Sequence, residues 1–318
     1  KVGDPILEEA ADFEDDGYER SVAEKAQSAI TSVMSDTAKK LSRRAALSGK
    51  DFAALQDAAA VMMNYLKDNP VTAALLTRSM NGGGYLADHT GAVFYLSMVL
   101  GSTIQSYIAK ERMQRTSARD LSAQTALDLK PLGLGAMFMD LGMFTLSDLY
   151  SRPPEKLTEY DRQSILEHPI TGADMLPGTI PAATRMIVRT HHENVDGSGY
   201  PAKLEADKLH IFSKIIRICD SFSAATTDTD YRRAKSATKA LWEMKSGPWR
   251  GCYDPLLVNM FTRLIQPFPI GAKLQLNDGT FGVLVKYNRH DVFQPTIIVA
   301  LDQNNKRIAN DRRRKPIN

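Results

Sequence analysis

The chain has 318 residues, 43% hydrophobic and 24% charged, enough for a sizeable core in one large or two to three small domains. A net charge of +3 argues against a general nucleic-acid polymer binder, and the run Arg312-Arg313-Arg314-Lys315 reads as a solvated tail. Two cysteines, Cys219 and Cys252, lack zinc-ribbon spacing, and no apolar run approaches the roughly 18 residues of a membrane span, so a reduced, cytoplasmic chain is expected.

Residues 1–18 are acidic and without periodicity. From Ser21 to Ser48, apolar Val22, Ala26, Ile30, Val33, Met34, Ala38 and Leu41 recur at three- and four-residue steps and predict a helix. A second helix is predicted over Asp51–Leu66, with Asn69-Pro70 as its stop, and a third over Val71–Met80. Together they predict a helical module at 1–79, with core packing or dimerisation as the default use of its stripes. After the glycine break at 82–84, Tyr85-Leu86-Ala87-Asp88-His89-Thr90 opens a helix carrying Ala92, Val93, Leu96 and Val99. Residues 104–130 read as helical with a charged middle, followed by the apolar stretch Leu134 to Met143 around Asp140. Lys156-Leu157-Thr158 begins a helix reaching His168-Pro169, with Thr158 as a plausible N-cap. Further helices are predicted over Ile180–Thr190, Lys208–Ala225, Ser236–Met244 and Pro255–Ile265. From Pro267 the period changes to two. Strands at 273–276 and 282–287, joined by Asn277-Asp278-Gly279, form a hairpin, and Pro295–Leu301 adds a third strand.

The densest chemistry lies in His191-His192-Glu193-Asn194-Val195-Asp196-Gly197-Ser198-Gly199-Tyr200-Pro201. Paired imidazoles can ligate a metal, and the glycines permit a tight loop ending in an aromatic. This string resembles the signature of the HD-GYP family, bacterial metal-dependent phosphodiesterases of cyclic di-GMP signalling. The resemblance covers roughly residues 80–265. It implies an HD-domain helical bundle at 80–265, and with the helical module read at 1–79 and the small β appendix with its basic tail at 266–318 the expected fold is mainly α. It also implies metal ligands at His89, Asp140, His168, His191, His192 and Asp220, with Asp140 the catalytic, bridging carboxylate. Gly199, Tyr200 and Arg232 would contact nucleotide.

By the same resemblance one metal is held by His89, residue 139, Asp140 and Asp220. The other is held by Asp140, His168, His191 and His192. This chain departs from the family at four positions. Met139 stands where the histidine of the His-Asp pair belongs, and Met143 where a lysine does. Ser223 replaces a second aspartate, and Thr229 an arginine. A thioether suits hard ferrous or manganous ions poorly, so the second set should hold metal better than the first. A third metal, held in some members by a glutamate one turn before the first histidine, is not expected, because that position is Tyr85. One to two divalent ions are expected, with iron or manganese favoured and zinc compatible.

The implied function is that of a degenerate member. It binds metal and a cyclic dinucleotide, works mainly as a receptor or regulator with signalling partners, and hydrolyses weakly or not at all. Two alternatives stand beside it. One is an active cyclic di-GMP phosphodiesterase, in which water, Asp88 or a shifted ligand replaces the missing imidazole. The other is an interaction scaffold that binds no nucleotide. A homodimer is compatible with the helical stripes.

Overall fold

The computed structural model describes residues 17–43, 45–68, 84–114, 121–146, 149, 152–265, 271–286, 293–304, 306 and 308, with only the backbone for 17–27. The predicted helix at 71–80 and the basic tail lie outside the described residues. Helix α1 (Gly17–Ser42) stops six residues short of the predicted end. The reason is local: Ser48 and Asp51 exchange hydrogen bonds, Ser48 N–H to Oδ2 at 2.8 Å and Asp51 N–H to Oγ at 3.4 Å, and so cap α2 (Gly49–Asp68).

Helix α3 (Tyr85–Thr103) is the central element. It is apolar on all sides and buried over most of its length, including Val93, Phe94, Tyr95, Leu96 and Leu100. It packs against α6 (Lys130–Phe138) and α10 (Ile211–Thr226). The region predicted as one helix from 104 is α4 (Gln105–Gln114) and α5 (Ala123–Leu127), the latter capped by Ser122. Among the described residues no single helix is long and apolar enough to cross a membrane; α3 and α4 together have that length and apolar character, but they meet at a bend of 82°.

Helix α7 (Leu141–Phe144) is one turn long and lies against α8 (Glu159–Met175). The approach depends on Gly142: a Cβ there would lie 2.2 Å from the carbonyl oxygen of His168. Helix α8 starts at Glu159 with Thr158 as its cap, as the sequence suggests, and Pro154–Lys156 forms a separate 3-10 turn before it. Thr158 and Asp161 form a reciprocal capping box. Helices α9 (Ala182–Thr190), α11 (Ala237–Lys245) and α12 (Pro255–Ile265) complete the helical body.

Buried residues of α1 and α2, among them Ile30, Met34, Leu55 and Met62, belong to the same hydrophobic cluster as those of α3, α6, α10 and α12. Phe52 on α2 meets Phe138 on α6 edge-on, with ring centroids 6.0 Å apart. The three strands β1 (Lys273–Gln275), β2 (Phe281–Lys286) and β3 (Thr296–Leu301) form an antiparallel sheet in that order. The fold is mainly α with a small C-terminal sheet.

Candidate metal centre

Four side chains converge at the inner end of α8 and α9. Asp140, His168, His191 and His192 each offer one ligand atom, and these atoms lie within 4.8 Å of one another. Asp140 precedes α7, and its side chain makes no cap hydrogen bond. Its Oδ1 lies 3.5 Å from His168 Nε2 and 4.0 Å from His191 Nε2.

The backbone sets the imidazoles. Pro169 sits inside α8 and has no N–H, so the carbonyl of Ile165, four residues back, lacks its helical donor. His168 Nδ1 takes that carbonyl at 2.6 Å. His191 caps the C-terminus of α9, where the last carbonyls are also unpartnered, and its Nδ1 takes Val188 O at 2.6 Å. Each carbonyl can only accept, so both rings carry the proton on Nδ1 and turn Nε2 inward. The two Nε2 atoms are 3.2 Å apart. Two lone pairs facing at that distance repel unless a cation lies beside them. The donor set therefore fits a divalent metal, with three neutral nitrogens and one hard oxygen.

The electrostatics agree. Burial lowers His168 to about 4, and burial with the nearby His168 lowers His191 to about 4. His192 is pushed well below its ordinary value by burial and then by His191. Burial raises Asp140, against the pull of His89 and His191.

His89 and Asp220 are arranged differently. His89 Nε2 donates to Asp220 Oδ1 at 3.1 Å, and Asp140 Oδ2 is 3.7 Å away. The other ring nitrogen, Nδ1, is 2.9 Å from Ser223 Oγ. Burial opposes a charged His89, but the hydrogen bond to Asp220 and the charge of Asp140 raise its pKa. Burial likewise opposes an ionised Asp220, yet His192, His89 and Arg217 hold it well below the carboxylate range. Met139 is fully buried in the hydrophobic cluster, and Met143 is buried beside it.

The loop after His192 is packed onto the centre. Gly199 passes so close to residues 192–194 that a Cβ would lie 2.3 Å from Asn194 N. Its role in this arrangement is to let the backbone close. Tyr200 then stacks on His192 with centroids 4.7 Å apart. Arg232 donates to the carbonyl of Ala224 at the end of α10, and its charge reaches the phenol of Tyr85. Tyr85 lies parallel to His89 with centroids 5.7 Å apart. Thr229 and Arg232 pair through their backbones, Thr229 N–H to Arg232 O at 2.9 Å.

Sequence reasoning missed three participants. Buried Glu193 accepts from the N–H groups of Ala202 at 2.6 Å and Leu204 at 2.9 Å, and so holds the Tyr200 loop. No local pattern announces those partners. Arg217 and Asn194 were also missed. Arg217 stands three residues before Asp220 on α10, a spacing that places both on one helix face.

A model of the HD domain matches residues 96–257. A cyclic di-GMP phosphodiesterase of Pseudomonas aeruginosa is 28% identical over 191 residues, covering 59% of this chain and 45% of the relative. A 3'3'-cGAMP-specific phosphodiesterase of Vibrio cholerae is 30% identical over 125 residues, covering 39% of this chain and 27% of the relative. The chain thus spans less than half the length of these curated relatives. A solved structure from Bdellovibrio bacteriovorus, described as an HDG"Y"P protein, matches with a TM-score of 0.60 at 15% identity, over 81% of this chain and 76% of that one. The HD-domain match, the relatives' names and the shared fold agree with the His191–Pro201 signature: the chain belongs to the HD-domain family, in its HD-GYP branch.

Proposed function

We propose that this chain is a one-metal HD-GYP protein that binds cyclic di-GMP or a related cyclic dinucleotide, hydrolyses it weakly or not at all, and signals its presence to a partner. The observation that carries this reading is the split of the centre. Asp140, His168, His191 and His192 bring ligand atoms within 4.8 Å of one another, with His192 Nδ1 also 3.5 Å from Asp220 Oδ2, whereas His89 Nε2 is spent on Asp220 at 3.1 Å and Met139 is buried among apolar side chains. Asp140, His168, His191 and His192 would hold the ion, with iron or manganese suiting this donor set and zinc compatible. A divalent ion there supplies Lewis-acid polarisation of a phosphoryl oxygen and eases deprotonation of a water. The chain's own residues orient the ligand: Tyr200 offers an aromatic face beside His192, and Arg232 lies at the Tyr85 side of the site. Met143 and Thr229 supply no charge to a phosphate where the family pattern has cations. Relatives acting on cyclic di-GMP and on 3'3'-cGAMP support the ligand class. Free, buried Cys219 and Cys252 suit the reducing cytoplasm, where such signalling occurs.

Elemental analysis after chelation and reloading with manganese should find one ion per chain, with His191→Ala losing more metal than His89→Ala. Calorimetry should detect cyclic di-GMP binding, while release of linear dinucleotide stays far below the roughly 1 s⁻¹ of an ordinary enzyme. Turnover near that rate, or two equally filled sites, would overturn the reading.

A further inference from the structure

The carboxylate of Asp220 already has a cation. Arg217 Nη1 lies 3.3 Å from Asp220 Oδ2, and His89 Nε2 lies 3.1 Å from Oδ1. Both oxygens are therefore engaged by the chain itself. The guanidinium is also built into place. Its Nε donates to Asn194 Oδ1 at 2.9 Å, its Nη1 to Ser221 Oγ at 2.8 Å, and its carbon lies 5.7 Å from the ring centre of Tyr253. Only 19% of the Arg217 side chain and 8% of the Asp220 side chain are exposed, so water screens the pair weakly. Asn194 donates in turn to Ser198 Oγ at 2.9 Å, which ties the guanidinium to the loop bearing Tyr200.

We propose that Arg217 is a positioning residue that stands in for a second metal: its fixed charge neutralises Asp220 and keeps a divalent ion out of the His89–Asp220 half of the centre. This deepens the one-metal reading and rests on it. The charges support the assignment. Two buried carboxylates, Asp140 and Asp220, face each other across the centre. One divalent ion and one guanidinium leave that pair with a net charge of about +1, suited to a phosphodiester anion. A second divalent ion would have to displace a hydrogen-bonded guanidinium and would then sit beside it, paying for repulsion in a poorly screened site.

The test is manganese binding to the chelated full chain, followed by calorimetry and by the electron paramagnetic signal of free ion. Wild type and Arg217→Lys, which keeps the charge, should take one ion. Arg217→Gln should take a second, or tighten weak second-ion binding at least about tenfold. Asn194→Ala, which unhooks the guanidinium without removing it, should move part of the way and covers the case that Arg217→Gln does not fold. One-ion isotherms identical to wild type in Arg217→Gln and Asn194→Ala would overturn the role of Arg217 and leave the one-metal reading intact. A wild-type chain that loads two ions equally, or none, would overturn both.

Discussion

At the scale of single residues, the centre is set by where each polar atom finds its partner. His168 and His191 are neutral because burial opposes charge and outweighs the opposite pull of the carbonyls that hold their Nδ1 protons. In the metal-stripped protein this has a signed consequence. Between about pH 6.5 and about pH 4 an unfolded histidine binds a proton that the folded His168 and His191 do not. The unfolded state then holds more protons, so stability falls as pH drops through that window. His89, raised instead, offsets part of the loss. Chelated protein should melt at a lower temperature at about pH 5 than at about pH 7.5, and an equal or higher midpoint would contradict the neutral assignment. Met139 and Met143 allow a second test. Met139→His with Met143→Lys should raise metal content and increase any hydrolysis by at least about tenfold, roughly 1.4 kcal/mol of barrier. Because both positions are buried, the new groups will also cost stability, which thermal melting will show. A folded, metal-richer double variant with unchanged hydrolysis would place the cause elsewhere.

At the scale of elements, α8 shows how a locally unfavourable residue serves the site. Pro169 removes a helical hydrogen bond, and His168 uses the carbonyl that is left. Pro169→Ala would return an N–H to Ile165 O and compete with the imidazole. It should stabilise the helix but weaken manganese binding by about tenfold, within the range seen when a partner of a ligating histidine is lost. Metal affinity that stays the same would show that the carbonyl does not orient the ring. The other end of α8 gives a contrasting expectation. Thr158→Ala breaks the capping box and should cost about 1 kcal/mol in urea unfolding with metal affinity unchanged, since Thr158 lies ten residues before His168.

At the scale of the whole molecule, α1 and α2 share one core with the helices that carry the ligands. Phe52 touches Phe138, two residues before Asp140. Phe52→Ala should cost about 3–5 kcal/mol, and it should do so in one transition. The chain's two tryptophans, Trp242 within α11 and Trp249 just after it, are half-exposed, so their fluorescence reports a region distant in sequence from α2. Fluorescence and circular dichroism should shift together in Phe52→Ala. A fluorescence midpoint left at the wild-type value would mean that α1 and α2 unfold as a separate unit.

The sequence by itself determined what is local. Helix positions followed from apolar periodicity, the start of α8 from Thr158 as cap, the hairpin from Asn277-Asp278-Gly279, and the branch of the family from residues 191–201. It also marked Met139 and Met143 as departures, because a side chain's chemistry needs no coordinates. The tertiary structure decided what depends on distance and direction. His89 and Asp220 are 131 positions apart, and nothing in either segment says that the imidazole is spent on that carboxylate. Which ring nitrogen of His168 faces the centre depends on a single carbonyl, and Arg217 is held beside Asp220 by Asn194, Ser221 and Tyr253, two of which lie far from it in sequence. Periodicity records which face of a helix is buried, but not which atom of a buried polar group meets which partner, and the chemistry of this centre rests on the latter.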